Sequence, residues 1–373
     1  MPKSHRKSKV HSVGSRALEL EQFSPREVLK KADACYEKLN SSKALKLYEM
    51  IIEKLFKLPS TDENNSVMLD ALQSSANILV QFERTDEAIS HFKRAIEICP
   101  DNGYEKYMSL AQLLAGEEAV NLYRRGIGII NDLLKTFDSN DSSGLQSLKS
   151  DLSFAHCAVA EVYMVDLCDD SNNSALVQQE VDKAIEICEQ NPLSWYIKAS
   201  CLFLTGRIDD AKSAIEKCLS LFLPEIERIF DEQIEREDTP VEVLEGDKLI
   251  ADIEEISGMP PEKHFEMTLL LCELGMYQQA EKILTLLNEI EEANPDVLFQ
   301  LALVAKQLYY ETEPQTVRLY VNAALEACAQ NPEMVSELTA ISSDLPVESE
   351  VEGDDADDED LEADSDEEDM EID

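Results

Sequence analysis

The chain's 373 residues carry 77 Asp and Glu against 33 Lys and Arg, a formal net charge of −44 at pH 7, and 44% of them are hydrophobic. No apolar run approaches the roughly 18 residues of a membrane-spanning helix, and so acidic a chain excludes ordinary nucleic-acid binding, which sets cations against phosphates. The charge favours a basic partner instead.

Residues 1–22 read as a disordered basic leader: Lys3, Arg6, Lys7, Lys9 and Arg16 all precede the first acid, Glu19, and no apolar signal-peptide stretch is present. Lys3, Arg6, Lys7 and Lys9 make an import-signal candidate, although such clusters are as often solvated tails. Helices are predicted from Ser24 and Pro25, a capping residue followed by a first-turn proline. A first helical hairpin is predicted to end at Leu58-Pro59 with a polar loop to Ser66, a second to run to Pro100, and a third helix pair to reach Phe137. Residues 139–144 read as a loop, and not a calcium loop: a series begun at Asp138 needs Gly where Ser143 stands and Glu where Lys149 stands. A polar insert, Asp169 to Ser174, delays the following helix. The stretch Pro192–Pro224 carries Trp195, Ala199 and Leu202, a break at Thr205-Gly206-Arg207, then Ala211, Ile215, Cys218 and a closing Pro224. Apolar residues recur at helical spacing on both sides of that break, which predicts two amphipathic helices and a tight turn. Residues 224–260 read as an acidic irregular segment of the folded body, which resumes at Pro261 and ends near Leu345. Residues 346–373 read as a disordered acidic tail: 17 acids and no Lys or Arg after Pro346, which leaves −27 of the −44 to residues 1–346.

One spacing repeats through the body. From Ala199, offsets of 12, 16 and 19 land on Ala211, Ile215 and Cys218; from Ala32 on Ala44, Tyr48 and Ile51; from Ala76 on Ala88, Phe92 and Ala95. From Thr268 they land on Ala280, Leu284 and Leu287, from Ala305 on Val317, Val321 and Ala324, and from Tyr107 on Ala119, Tyr123 and Gly126. Ala160 starts a seventh copy whose partners Val177, Val181 and Ala184 come five residues late, after the polar insert. Ala95, Ala184 and Ala324 are each followed four residues on by Cys.

This pattern resembles the tetratricopeptide repeat, whose Trp, small residue, Tyr, Ala, Phe, Ala and Pro are echoed by Trp195, Ala199, Leu202, Ala211, Ile215, Cys218 and Pro224, and more closely by Ala88, Phe92, Ala95 and Pro100. The resemblance implies an all-α, right-handed solenoid of six to seven helical hairpins across residues 23–345. Its first helices line a concave groove that takes an extended peptide or a helix. Counting along those helices gives Asp33, Tyr36, Glu37, Asp70, Gln73, Asn77, Glu161, Tyr196, Ser200, Phe203, Glu262, Phe265 and Glu273 as partner-binding candidates. Family members that grip the acidic C-terminus of heat-shock chaperones use Lys, Asn and Arg there; Leu29, Asp33 and Gln73 stand in those places, with Asn77 alone fitting.

No enzymatic motif, cofactor loop or metal-ligand spacing is found. The nine cysteines include no Cys-x-x-Cys pair, and Cys35, Cys201, Cys218 and Cys272 fall at small apolar positions, so they read as reduced. His5, His11, His91, His156 and His264 are scattered. Body, leader and tail together resemble the fungal dedicated assembly chaperones of large-subunit ribosomal protein number four. That resemblance implies a monomeric, cytoplasmic and nuclear protein that holds a basic ribosomal client in its groove and meets an import receptor. A general scaffold and a histone chaperone are the alternatives.

Overall fold

The computed structural model describes residues 23–137, 141–167, 173–234, 253–291 and 293–346. The basic leader with Lys3, Arg6, Lys7 and Lys9, most of the polar insert, residues 235–252 of the acidic irregular segment and the tail after Pro346 lie outside them.

The described elements are helices, and they pair. The first hairpin is α1 (Pro25–Tyr36) with α2 (Ser41–Leu55), the second α3 (Asp62–Gln81) with α4 (Thr85–Ile98), and the third α5 (Glu105–Gln112) with α6 (Gly116–Thr136). Then follow α7 (Ser142–Val165) with α8 (Asn173–Ile187), α9 (Pro192–Leu204) with α10 (Ile208–Ile234), and α11 (Pro261–Glu273) with α12 (Tyr277–Ile290). The described residues up to Ile290 form one compact unit, which holds these six hairpins. Those from Glu291 to Pro346 form a second, in which α13 (Pro295–Tyr309) and α14 (Pro314–Ala327) make a hairpin covered by α15 (Pro332–Asp344).

Local chemistry starts each helix where it does. Ser24 and Glu27 form a reciprocal capping box at α1, with Ser24 N donating to Glu27 Oε2 at 2.8 Å. Asn191, Asn294 and Asn331 cap α9, α13 and α15, each followed by a proline whose missing N–H is one the first turn leaves unbonded anyway. Four hairpin turns close alike. In the turn after α9, Gly206 N donates to Phe203 O at 2.9 Å and Arg207 N to Leu202 O at 2.9 Å, the paired bonds of a left-handed C-terminal cap. The same pair of bonds recurs around Leu39, Glu83 and Gly275, and all four residues have positive φ.

The repeated spacing proves to be the packing register. Ala32, Ala44, Ala76, Ala88, Ala119, Ala160, Ala199, Ala211, Ala280 and Ala324 are fully buried, as are Thr268 and Val317. Small residues at these crossings let paired helices approach closely, while the larger Tyr48, Phe92, Ile215, Leu284 and Val321 are buried beside them. The recurrent cysteines mark helix ends: Cys99, Cys188 and Cys328 donate their backbone N–H to Ala95, Ala184 and Ala324 at 3.1, 3.0 and 2.8 Å. No disulfide joins the described cysteines.

Three local expectations are corrected. Pro224 does not close its hairpin but lies inside α10. Phe222, Leu223 and Ile226 carry a buried stripe across it, and burying such side chains, at roughly 1.5–3 kcal/mol each, outweighs the roughly 3 kcal/mol an interior proline costs. Ser142, Ser143 and Gly144 are the first turn of α7 rather than loop, because Asp141 caps them through Gly144 N at 2.9 Å. The polar loop before α3 stops at Thr61, whose hydroxyl accepts from Asn64 N. Trp195 is only half-buried: its Nε1 donates to Glu189 O at 2.9 Å and its ring carries Lys198, while Tyr196 and Ile197 turn inward.

Candidate functional site

The first helices of successive hairpins in the N-terminal unit bring carboxylates and tyrosines together. In the first two hairpins, half-buried Asp33 on α1 accepts a hydrogen bond from the Tyr48 hydroxyl at 2.7 Å. Burial, and then that bond to Asp33, push the Tyr48 phenol well above its usual range. Tyr36, one turn on from Asp33, accepts from Gln81 Nε2 of α3 at 3.1 Å, so α1 and α3 share this surface. Asp70 on α3 keeps solvent contact, yet its surroundings, and after them the charge of Asp33, lift it above the ordinary carboxylate range. Two raised or tethered acids on one surface are prepared to gain from a cation.

Further along, the Tyr104 hydroxyl donates to Asp151 of α7. Tyr123 on α6 is pushed up to about 12 by burial and then by the charge of Glu161 on α7. Glu161 is itself half-buried and reaches Lys263 Nζ of α11 at 2.9 Å. Glu266, one turn along α11, touches the same Nζ at 2.7 Å. Tyr196 on α9 is pushed up to about 12 by burial first and Glu266 next, with smaller effects of Lys263 and Glu161. Helices α7, α9 and α11 therefore meet at one surface.

Of the residues singled out from the sequence, Asp33, Tyr36 and Asp70 are gathered in the first cluster, and Glu161 and Tyr196 in the second. Glu37, Asn77, Glu262 and Glu273 are exposed, and Gln73, Phe203 and Phe265 are half-buried. Ser200 spends its hydroxyl on Tyr196 O of its own helix at 3.1 Å. Counting along first helices misses Tyr48 and Tyr123, which reach in from second helices, and Tyr104, Asp151, Lys263 and Glu266. For Lys263 and Glu266 the signal was present, since residues three apart on a helix are surface neighbours.

No group of three or more metal-ligating side chains occurs among the described residues. His156 Nδ1 meets Glu180 Oε2 at 2.5 Å, and both are buried between α7 and α8, a structural pair rather than an open site.

Comparison with known proteins follows this architecture. The tetratricopeptide repeat model matches residues 69–102 and 193–222, the second hairpin and the fifth. A probable assembly chaperone of rpl4 from Schizosaccharomyces pombe is 30% identical over 154 residues, 40% of this chain and 44% of that protein. A second probable assembly chaperone of rpl4, from Emericella nidulans, is 23% identical over 231 residues, 59% of this chain and 55% of that one. The matched stretches thus span about half the length of these curated relatives. Among solved structures, residues 1–338 of an assembly chaperone of RpL4 (Acl4) superpose with a TM-score of 0.60 at 18% identity, covering 79% of this chain and all of that one. That likeness is one of fold.

Proposed function

Because the chain is a tetratricopeptide-repeat protein similar to assembly chaperones of rpl4, we propose that it is a dedicated chaperone of a newly made basic ribosomal protein, number four of the large subunit. The client's Lys- and Arg-rich segment lies on the acidic first-helix surface, is kept soluble and away from RNA, and is escorted as one complex to the nucleus. The reading rests on the half-buried carboxylates Asp33, Asp151 and Glu161, each set beside a tyrosine, and on the exposed Asp70 beside Asp33. A carboxylate held in place and partly desolvated pairs with a guanidinium more strongly than one in open water. The activity is binding rather than catalysis.

The full chain, expressed with an affinity tag and recovered at low salt, is expected to bring down ribosomal protein number four in stoichiometric amount and without RNA. Histones instead, or partners with no basic segment, would overturn the assignment in favour of a histone chaperone or a general scaffold. Nuclear escort is tested by replacing Lys3, Arg6, Lys7 and Lys9 together in a fluorescent fusion. Loss of nuclear signal supports an import role for the leader, while an unchanged distribution assigns import to the client or another carrier.

A further inference from the structure

Lys263 differs from the other paired lysines of the fold. Lys282 on α12 meets Glu227, Lys198 meets Asp182 and Lys93 meets Glu118, one carboxylate each. Lys263 meets two, Glu161 Oε1 at 2.9 Å and Glu266 Oε2 at 2.7 Å, one of them from a helix of another hairpin, and its side chain is only 24% exposed. It does so where α7, α9 and α11 meet, close enough to the inward-turned Tyr196 phenol for Glu266, Lys263 and Glu161 all to act on it. Two carboxylates that touch one nitrogen repel each other once it leaves, and that repulsion draws in a replacement cation.

We infer that Lys263 is a built-in occupant of the client surface, holding the Glu161–Glu266 pair in the unbound protein and yielding it to a guanidinium or ammonium group of the bound client. This rests on the reading of the surface given under the proposed function. The exchange trades one ion pair for another, so its net gain is small; specificity follows, because a weakly basic peptide cannot displace Lys263 and a dense run of Arg can. A guanidinium gains further from its planar fork, which engages both carboxylates where an ammonium presents a point charge.

The test uses the full chain and a fluorescently labelled peptide of alternating Arg and Gly. Lys263→Met should bind this peptide roughly three- to tenfold more tightly than the wild type, whereas Lys282→Met, which removes the same charge elsewhere, should change affinity little. Equal tightening in both variants would reduce the effect to diffuse charge, and weaker binding by Lys263→Met would make Lys263 a mere support; either result overturns the inference. A second measurement needs no variant. Acetylation of Lys263 by a succinimidyl ester, read by mass spectrometry in the wild type, should be slow without peptide and faster when peptide saturates the surface; protection that stays or deepens sinks the idea. Should the wild type bind no basic peptide, the proposed function itself fails, an outcome distinct from these.

Discussion

At Leu39 and Glu83 the backbone has φ of +56° and +59°, the conformation that Gly206 and Gly275 adopt in the equivalent turns of later hairpins. A side chain there costs about 1–2 kcal/mol, and Leu39, 93% exposed, gains no packing in return. Leu39→Gly should therefore raise stability by about 0.5 kcal/mol after the entropy that glycine returns to the unfolded chain, seen as a higher urea midpoint with unchanged slope. Gly206→Leu and Gly275→Leu should do the reverse; a Cβ at either position would meet nothing within 4 Å, so their loss measures backbone strain less the unfolded-chain entropy, without a clash. His264 supplies a second residue-scale prediction. It is fully buried, its Nδ1 lies 3.0 Å from Pro260 O, its Nε2 has no partner, and its ring packs edge-on against Phe222. Burial depresses its pKa below the usual histidine value, only partly offset by the bond to Pro260. The unfolded chain therefore takes up the proton first, and stability is intact above the ordinary histidine pKa and lost as pH falls through it. Between about pH 7.5 and pH 5.5 the wild type should lose roughly 1 kcal/mol more than His264→Phe; parallel pH profiles in chemical denaturation would exonerate this histidine.

The hairpins were readable because packing leaves a mark that one sequence carries by itself. An Ala at a helix crossing cannot be replaced by a larger residue without moving a backbone, so the offsets from Ala32, Ala76 and Ala199 survive where the aromatic positions drift. Ala88→Trp and Ala211→Trp test that register: each puts a large side chain into a fully buried crossing, at a cost of about 3 kcal/mol. Differential scanning calorimetry should show a lowered melting temperature for both, and an unchanged value at either site would mean the crossing lies elsewhere. Element ends were less legible, since they turn on competition between local rules and burial. Pro224 reads as a stop by its chemistry, yet the apolar stripe Phe222, Leu223 and Ile226 runs through it and wins. Trp195 lies half-exposed beneath Lys198, while its neighbour Tyr196 goes inward. The candidate surface was legible only in part for a related reason. First-helix periodicity finds Asp33, Asp70 and Glu161, whereas Tyr48 and Tyr123 arrive from second helices and no spacing along one helix can announce them.

Across the whole molecule, acidity is divided between residues 1–346, at −27, and the tail after Pro346, at −17, and the two should act differently on a basic client. The body holds its carboxylates at fixed spacing beside tyrosines, so an arginine there can lose water and form short, directed bonds. Charges in open water act through a field screened over roughly 8 Å at physiological salt, and exposed ion pairs contribute less than about 1 kcal/mol each. Contacts of the first kind slow dissociation, while charge of the second kind speeds encounter. Truncation after Leu345 should therefore lower the association rate for a basic client peptide at low salt and leave its dissociation nearly unchanged. Neutralising the body calls for variants that keep the fold: Asp33→Asn still offers the Tyr48 hydroxyl an acceptor, and Asp70→Asn removes a carboxylate already raised above its usual range. Together they should speed dissociation by roughly tenfold, the equivalent of about 1.4 kcal/mol, with the association rate little altered. Stopped-flow fluorescence separates the two rates. If removing the tail abolishes binding while the double variant binds normally, the tail and not the tyrosine-lined surface is the client's site, and the mechanism is that of a polyanion shield.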